Sequence, residues 1–135
     1  NADFVQWILK VKSNIDSGMF RATQLAAVTA LEAEKDWYEA NNANYRERRL
    51  VAEEIMRVLD CRFDENQSGM FLWGRIPDSY ANVEELTEKI LHQARVFIVP
   101  GFIFGSNGAR YIRISLCCKI ERLQQALQRI KAVMA

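Results

Sequence analysis

Residues 111–116, YIRISL, alternate strictly, with Ile112, Ile114 and Leu116 on one side and Tyr111, Arg113 and Ser115 on the other. A period of two fits a strand and no helix. The isoleucine side reads as core. The other side therefore has to display an arginine, flanked by a phenol and a hydroxyl. A guanidinium offers a rigid, planar fork of donors suited to a carboxylate or phosphate. The plainer alternative is an ion pair with a glutamate across the sheet. The loop ahead, residues 101–110, carries Gly101, Gly105 and Gly108 with Ser106 and Asn107. It fits a wide hairpin connection. It is no phosphate loop, because no Gly-Lys-Ser/Thr follows and no helix starts there.

The rest of the chain supplies the layers around that strand. Residues 3–15 read as a helix, with Phe4, Ile8, Val11 and Ile15 at helical spacing and Asp3 as cap. It opens with almost no preamble, as if cut from something longer. Residues 14–20, NIDSGMF, form a turn in which Asn14, Asp16 and Ser17 bond nearby backbone. Residues 22–34 are alanine-rich and helical. A longer helix spans 37–59, with Val51, Ile55, Val58 and Leu59 on its apolar stripe. Its run Arg46, Glu47, Arg48, Arg49 reads as a solvated face supported by Glu53 and Glu54. Residues 60–69 are loop. Residues 70–76 form a strand, where Gly74 marks a bulge or a close backbone approach, and Pro77 ends it. Residues 82–94 form a helix that Asn82 and Glu85 start as a capping box, with Val83, Leu86 and Ile90 buried and His92 facing solvent. Residues 96–99 form a short strand ended by Pro100. Residues 119–134 form the last helix, with Ile120, Leu123, Leu127, Ile130 and Met134 on one face.

Strand, helix, strand, strand, helix is an α+β fold. A small, largely antiparallel sheet of three or four strands is covered by helices on one face. Composition excludes several functions. Eighteen basic residues against seventeen acidic give a net charge of +1, which argues against nucleic acid as a partner. No apolar run approaches a membrane span, and no signal peptide is visible. Cys61, Cys117 and Cys118 form no metal-ligand pattern and fit a reducing cytoplasm. One histidine gives no support for a zinc site or a histidine-based triad.

Gly101, Phe104, Gly105, Gly108, Tyr111, Arg113, Ile114 and Ser115 resemble the carboxyl-terminal signature of the class I/II aminotransferases, the fold-type I enzymes that use pyridoxal phosphate. The upstream GMFLW, the helix beginning NVEEL, and the first helix followed by NIDSGMF resemble the same small domain and the interdomain helix before it. The resemblance implies an interdomain helix and helical segment over residues 1–36, a C-terminal small domain over 37–135, and an absent large cofactor-binding domain. It implies that Arg113 grips the substrate α-carboxylate. It places Phe71 and Trp73, with Phe102 in the nearby loop, at the substrate side-chain pocket, and Gly18 near the active site and dimer surface. The lysine forming the Schiff base with pyridoxal 5'-phosphate is expected upstream. No catalytic or cofactor-binding residue is then expected here, and the chain alone should be inactive. The intact parent would be a cytoplasmic homodimer moving an amino group between an amino acid and a 2-oxo acid. Two other readings remain at this point: a free-standing ferredoxin-like binding or regulatory domain, and a degenerate family member kept for protein contacts.

Overall fold

The computed structural model describes residues 1–16 and 18–134. The expectation for Ser17 lies outside them. The chain divides into two compact units, Asn1–Glu39 and Ala40–Ala135.

The first unit holds α1 (Ala2–Ile15), α2 (Arg21–Leu31) and the start of α3 (Lys35–Val58). Asn1, rather than Asp3, caps α1, its Oδ1 accepting from the Asp3 amide at 2.9 Å. Asp3 sits in the first turn, where its charge suits the helix N-terminus. The break begins later than the sequence suggests. Asn14 is still helical and donates from Nδ2 to the Lys10 carbonyl at 2.7 Å, while Asp16 pairs with Lys12 at 2.7 Å. Helix α2 stops at Leu31, short of Glu34. There the Glu32 amide bonds the Val28 carbonyl and the Tyr38 hydroxyl donates to the carbonyl of Ala30. The apolar stripe of α1 is present, but Phe4, Ile8, Val11 and Ile15 are all exposed.

The second unit is the α+β body. Strands β1 (Phe71–Arg75), β2 (Val99–Pro100) and β3 (Tyr111–Ser115) form an antiparallel sheet in the order β1-β3-β2. Leu72, Ile112, Ile114 and Leu116 point into one core. Helices α3, α4 (Val83–Lys89) and α5 (Ile120–Met134) close it. Asn82 caps α4 by accepting from the Glu85 amide at 2.8 Å. Glu85 returns the bond to the Ala81 amide at 2.8 Å, one residue ahead of the usual target. The helix then loosens into a π-helical turn, Ile90–Ala94, and ends at Arg95 in the left-handed region with φ 57°.

That ending shortens β2. The Val96 amide bonds back to the Ile90 carbonyl, and Ile98 turns into the core. Residues 96–98 are therefore not paired with β3, and Pro100, expected to stop the strand, lies in it. Gly74 keeps the regular register opposite Ile112, so it is no bulge. A Cβ there would fall 2.6 Å from the Met56 sulfur, so the glycine marks a close approach of α3 to the sheet. The stripe of α3 is accordingly centred on Ala52, Ile55 and Met56, with Leu59 buried just past its end and Val51 and Val58 only partly buried.

The Arg46–Arg49 run is not a solvated face throughout. Arg48 donates to the Leu116 carbonyl at 3.1 Å and Arg49 to the Gly69 carbonyl at 2.9 Å. These two arginines tie α3 to the ends of β3 and β1. Glu53 is buried and, with Glu54, serves Arg57 instead.

Cys61, Cys117 and Cys118 are free thiols. Burial, helped by the Asp60 charge, pushes the Cys61 thiol from its ordinary 9.0 up to about 12. The folded state thus holds the neutral form. Its contribution to stability is complete below about pH 9 and fades as pH rises towards about 12. Alkylation of the native chain near pH 8 should label exposed Cys117 and spare Cys61 until urea unfolds the protein. Mass spectrometry of the labelled peptides checks this. Equal native labelling of both thiols would contradict the buried placement.

Candidate substrate-recognition face

The core takes every second residue of β1 and β3, so their partners share the opposite face. Phe71, Trp73 and Arg75 come from β1, and Tyr111, Arg113 and Ser115 from β3. The register aligns Trp73, Arg113 and Val99 in one row across the three strands. No carboxylate stands in that row. The expected alternative, a glutamate across the sheet, is thereby overturned: among the described residues Arg113 forms no salt bridge.

Aromatic rings surround the guanidinium instead. Its central carbon lies 3.9 Å from the Phe104 ring centroid, 4.2 Å from Phe71 and 5.9 Å from Trp73. Trp73 and Phe104 meet edge to face with centroids 5.5 Å apart. Each ring presents a negative face to the cation and shields it from water, which strengthens its field on any anion that arrives. Arg113 is half-buried, and its Nε is buried without a hydrogen-bond partner among the described residues. A cationic donor left this way costs free energy until an acceptor reaches it.

The loop between β2 and β3 brings Phe104 there. Two tight 3-10 turns, Gly101–Phe104 and Ser106–Gly108, fold it back on itself. They require two glycines in contact. A Cβ on Gly108 would stand 2.1 Å from the Gly101 carbonyl oxygen, and one on Gly101 would stand 2.5 Å from the Gly108 oxygen. Gly101, Phe104, Asn107, Gly108, Tyr111 and Trp73 line an open cleft of about 420 Å³ beside the arginine's row. The base of the hairpin is held by Arg110, which donates to the carbonyls of Pro77, Tyr80 and Ala81 at 2.7 to 2.9 Å.

Gln67 fixes the outer edge. Its Nε2 donates to the Trp73 carbonyl at 2.8 Å, and its Oε1 accepts from the Trp73 amide at 2.9 Å. One side-chain amide thus does for Trp73 what a neighbouring strand would do. Sequence reading missed this residue, because nothing about a glutamine in a polar loop announces a backbone partner.

Of the expected site residues, the structure brings together Arg113, Phe71 and Trp73. Phe102 and Phe104 are both exposed, and Phe104 is the one whose ring meets the arginine. Gly18 lies in the first unit, where its φ of 145° calls for glycine. His92 is exposed and meets Glu88 at 2.9 Å. No metal-binding cluster of histidine, cysteine or carboxylates occurs among the described residues.

The same face does not by itself suit pyridoxal phosphate. Among the described residues that β1 and β3 place on this face there is neither a lysine nor a carboxylate. Lys12, Lys35 and Lys131 are engaged by Asp16, Glu39 and Glu54, and Lys89 lies over the Tyr80 ring. The face can hold an anion and pack an apolar group.

Comparison with known proteins adds a second line. The family model described as aminotransferase class I and II matches residues 1–130. The LL-diaminopimelate aminotransferase of Halothermothrix orenii is 32% identical over 130 residues, 96% of this chain and 33% of that protein. The enzyme of the same name from Aquifex aeolicus is 34% identical, across 97% of this chain and 34% of its own length. Among solved structures, a probable N-succinyldiaminopimelate aminotransferase from Thermus thermophilus superposes with a TM-score of 0.80 at 27% identity, over 96% of this chain and 34% of that one. BacF from Bacillus subtilis gives 0.78 at 28%, over 100% and 35%. The chain spans about a third of the length of the curated relatives it matches.

Proposed function

The chain belongs to the aminotransferase family of class I and II, and from that premise we propose that its Arg113 face recognises the substrate carboxylate in an enzyme that moves an amino group between an amino acid and a 2-oxo acid. The observation that carries the proposal is the uncompensated guanidinium of Arg113, flanked by aromatic rings and facing no carboxylate. Two parallel N–H···O bonds would fix both the position and the rotation of an α-carboxylate. Orientation of this kind lowers the entropic part of a barrier without taking part in the chemistry. Trp73 and Phe71 would pack the substrate's apolar atoms and exclude water. Gly18 would lie near the same substrate in the assembled enzyme, and Phe102 in the loop beside it.

The electron sink is pyridoxal 5'-phosphate, which supplies the carbanion stabilisation that amino-group transfer needs. Its lysine and phosphate contacts would come from outside these residues, since the relatives are about three times as long as the matched region. Residues 1–36 would then serve as the interdomain helical segment and 37–135 as the small domain. A homodimer fits the exposed apolar residues of α1 and α2, and the three free thiols fit the cytoplasm.

The test is amino-group transfer by the intact gene product, assayed with a panel of amino acids and 2-oxoglutarate, alongside a pyridoxal phosphate titration of residues 1–135 alone. The intact product should transfer amino groups, and the isolated residues should form no one-to-one lysine adduct. A stoichiometric adduct on these residues, or an intact product without transfer, would overturn the assignment.

A further inference from the structure

Phe71 and Phe104 come from different elements, yet both meet the same side chain. Phe71 enters from β1, two residues before Trp73, and Phe104 enters from the turn held by the Gly101–Gly108 contact. Their ring centroids stand 4.2 and 3.9 Å from the Arg113 central carbon, closer than that of Trp73, the arginine's direct cross-strand neighbour. An arginine on an open strand face is normally free to swing, because its side chain has four rotatable bonds and no need of one conformer. This one has no salt bridge to steer it among the described residues. Ring packing is what holds it.

We infer that Phe71 and Phe104 are positioning residues for Arg113: they clamp its guanidinium so that the donor fork meets an incoming carboxylate at one fixed angle. The inference rests on the carboxylate-binding reading above and adds the device that sets its geometry. Two consequences follow from the chemistry. The rings fill the space beside the guanidinium, so a carboxylate is left the donor edge, where two parallel bonds form. The side-chain entropy that a free arginine would lose on binding is already lost in the unliganded protein, which improves affinity without a new contact. Phe104 also couples the loop to the fork. A disturbance of the Gly101–Gly108 contact would therefore be felt at Arg113.

A double-mutant cycle on the intact gene product tests this. The single variants are Phe104→Leu, Phe71→Leu and Arg113→Ala, with Phe104→Tyr as the conservative replacement that keeps the ring. Phe104→Leu and Phe71→Leu are each expected to raise KM for the amino acid about tenfold, a change of the size expected for a shielded cation–ring contact. They should leave kcat within about threefold. Phe104→Tyr should restore the original KM. In the Arg113→Ala background Phe104→Leu should add less than about twofold, because the group it positions is gone, and Phe71→Leu should keep only the smaller cost of its own packing against the substrate.

If the leucine variants cost as much without Arg113 as with it, the rings act on the substrate or the fold directly and the inference fails, while the carboxylate role of Arg113 stands. If Arg113→Ala itself leaves KM and kcat unchanged, the carboxylate reading fails first and the inference with it. Should Phe104→Leu not fold, Phe71→Leu completes the cycle from the other side of the arginine.

Discussion

Gly108→Ala is expected to destabilise the second unit by about 3 kcal/mol or more, the upper end of what inserted atoms cost in a packed site. The reason is steric. The new Cβ would stand 2.1 Å from the Gly101 carbonyl oxygen and 2.5 Å from its carbon, and both are backbone atoms that cannot rotate away. Two neighbouring sites give the contrast. At Gly105 nothing lies within 4 Å, so alanine there meets only the backbone strain of φ 120° and ψ 167°, about 2 kcal/mol. At Gly74 the obstacle is the flexible end of Met56, which can move. Urea unfolding followed by circular dichroism ranks the three. Gly108→Ala no more costly than Gly105→Ala would contradict the close packing of the two turns.

Arg113→Ala carries the second large effect, on function. In the intact gene product it should lower kcat/KM for the amino acid by about a hundredfold or more, as expected when a hydrogen-bonded charge pair loses one partner. The cost to folding should stay below about 3 kcal/mol, because Arg113 lies off the core and its buried Nε disappears with it. Steady-state kinetics beside an unfolding curve separates the two. Unchanged kinetics would remove the carboxylate role; a larger folding loss would make the arginine a structural group.

The core side of the fold was legible because alternation is a local property. Ile112, Ile114 and Leu116 had to share a face whatever β3 paired with, and the same pattern put Arg113 opposite. The capping asparagine of α4 was legible for the same reason, since its bond reaches only to Glu85. What the sequence hid depends on distant partners. Residues 96–98 look like a strand by composition, but the left-handed Arg95 and the bond to Ile90 draw them away from β3. Arg48 and Arg49 look solvated until the carbonyls of Leu116 and Gly69 arrive beneath them. Phe102 and Phe104 are both aromatic and two residues apart. Only the 3-10 turn decides that Phe104 meets the arginine. Strand count and order did not separate an aminotransferase small domain from a ferredoxin-like binding domain. The family match across residues 1–130 does.

Whether Arg113 reads the α-carboxylate is decided by one ratio. For the intact gene product, kcat/KM would be measured with its best amino acid and with the amine that lacks only the carboxylate, in the unmodified protein and in Arg113→Ala. The unmodified protein should strongly prefer the amino acid, and that preference should fall about a hundredfold or more in the variant, with amine turnover nearly unchanged. A preference that survives the loss of Arg113 would mean that another group reads the carboxylate.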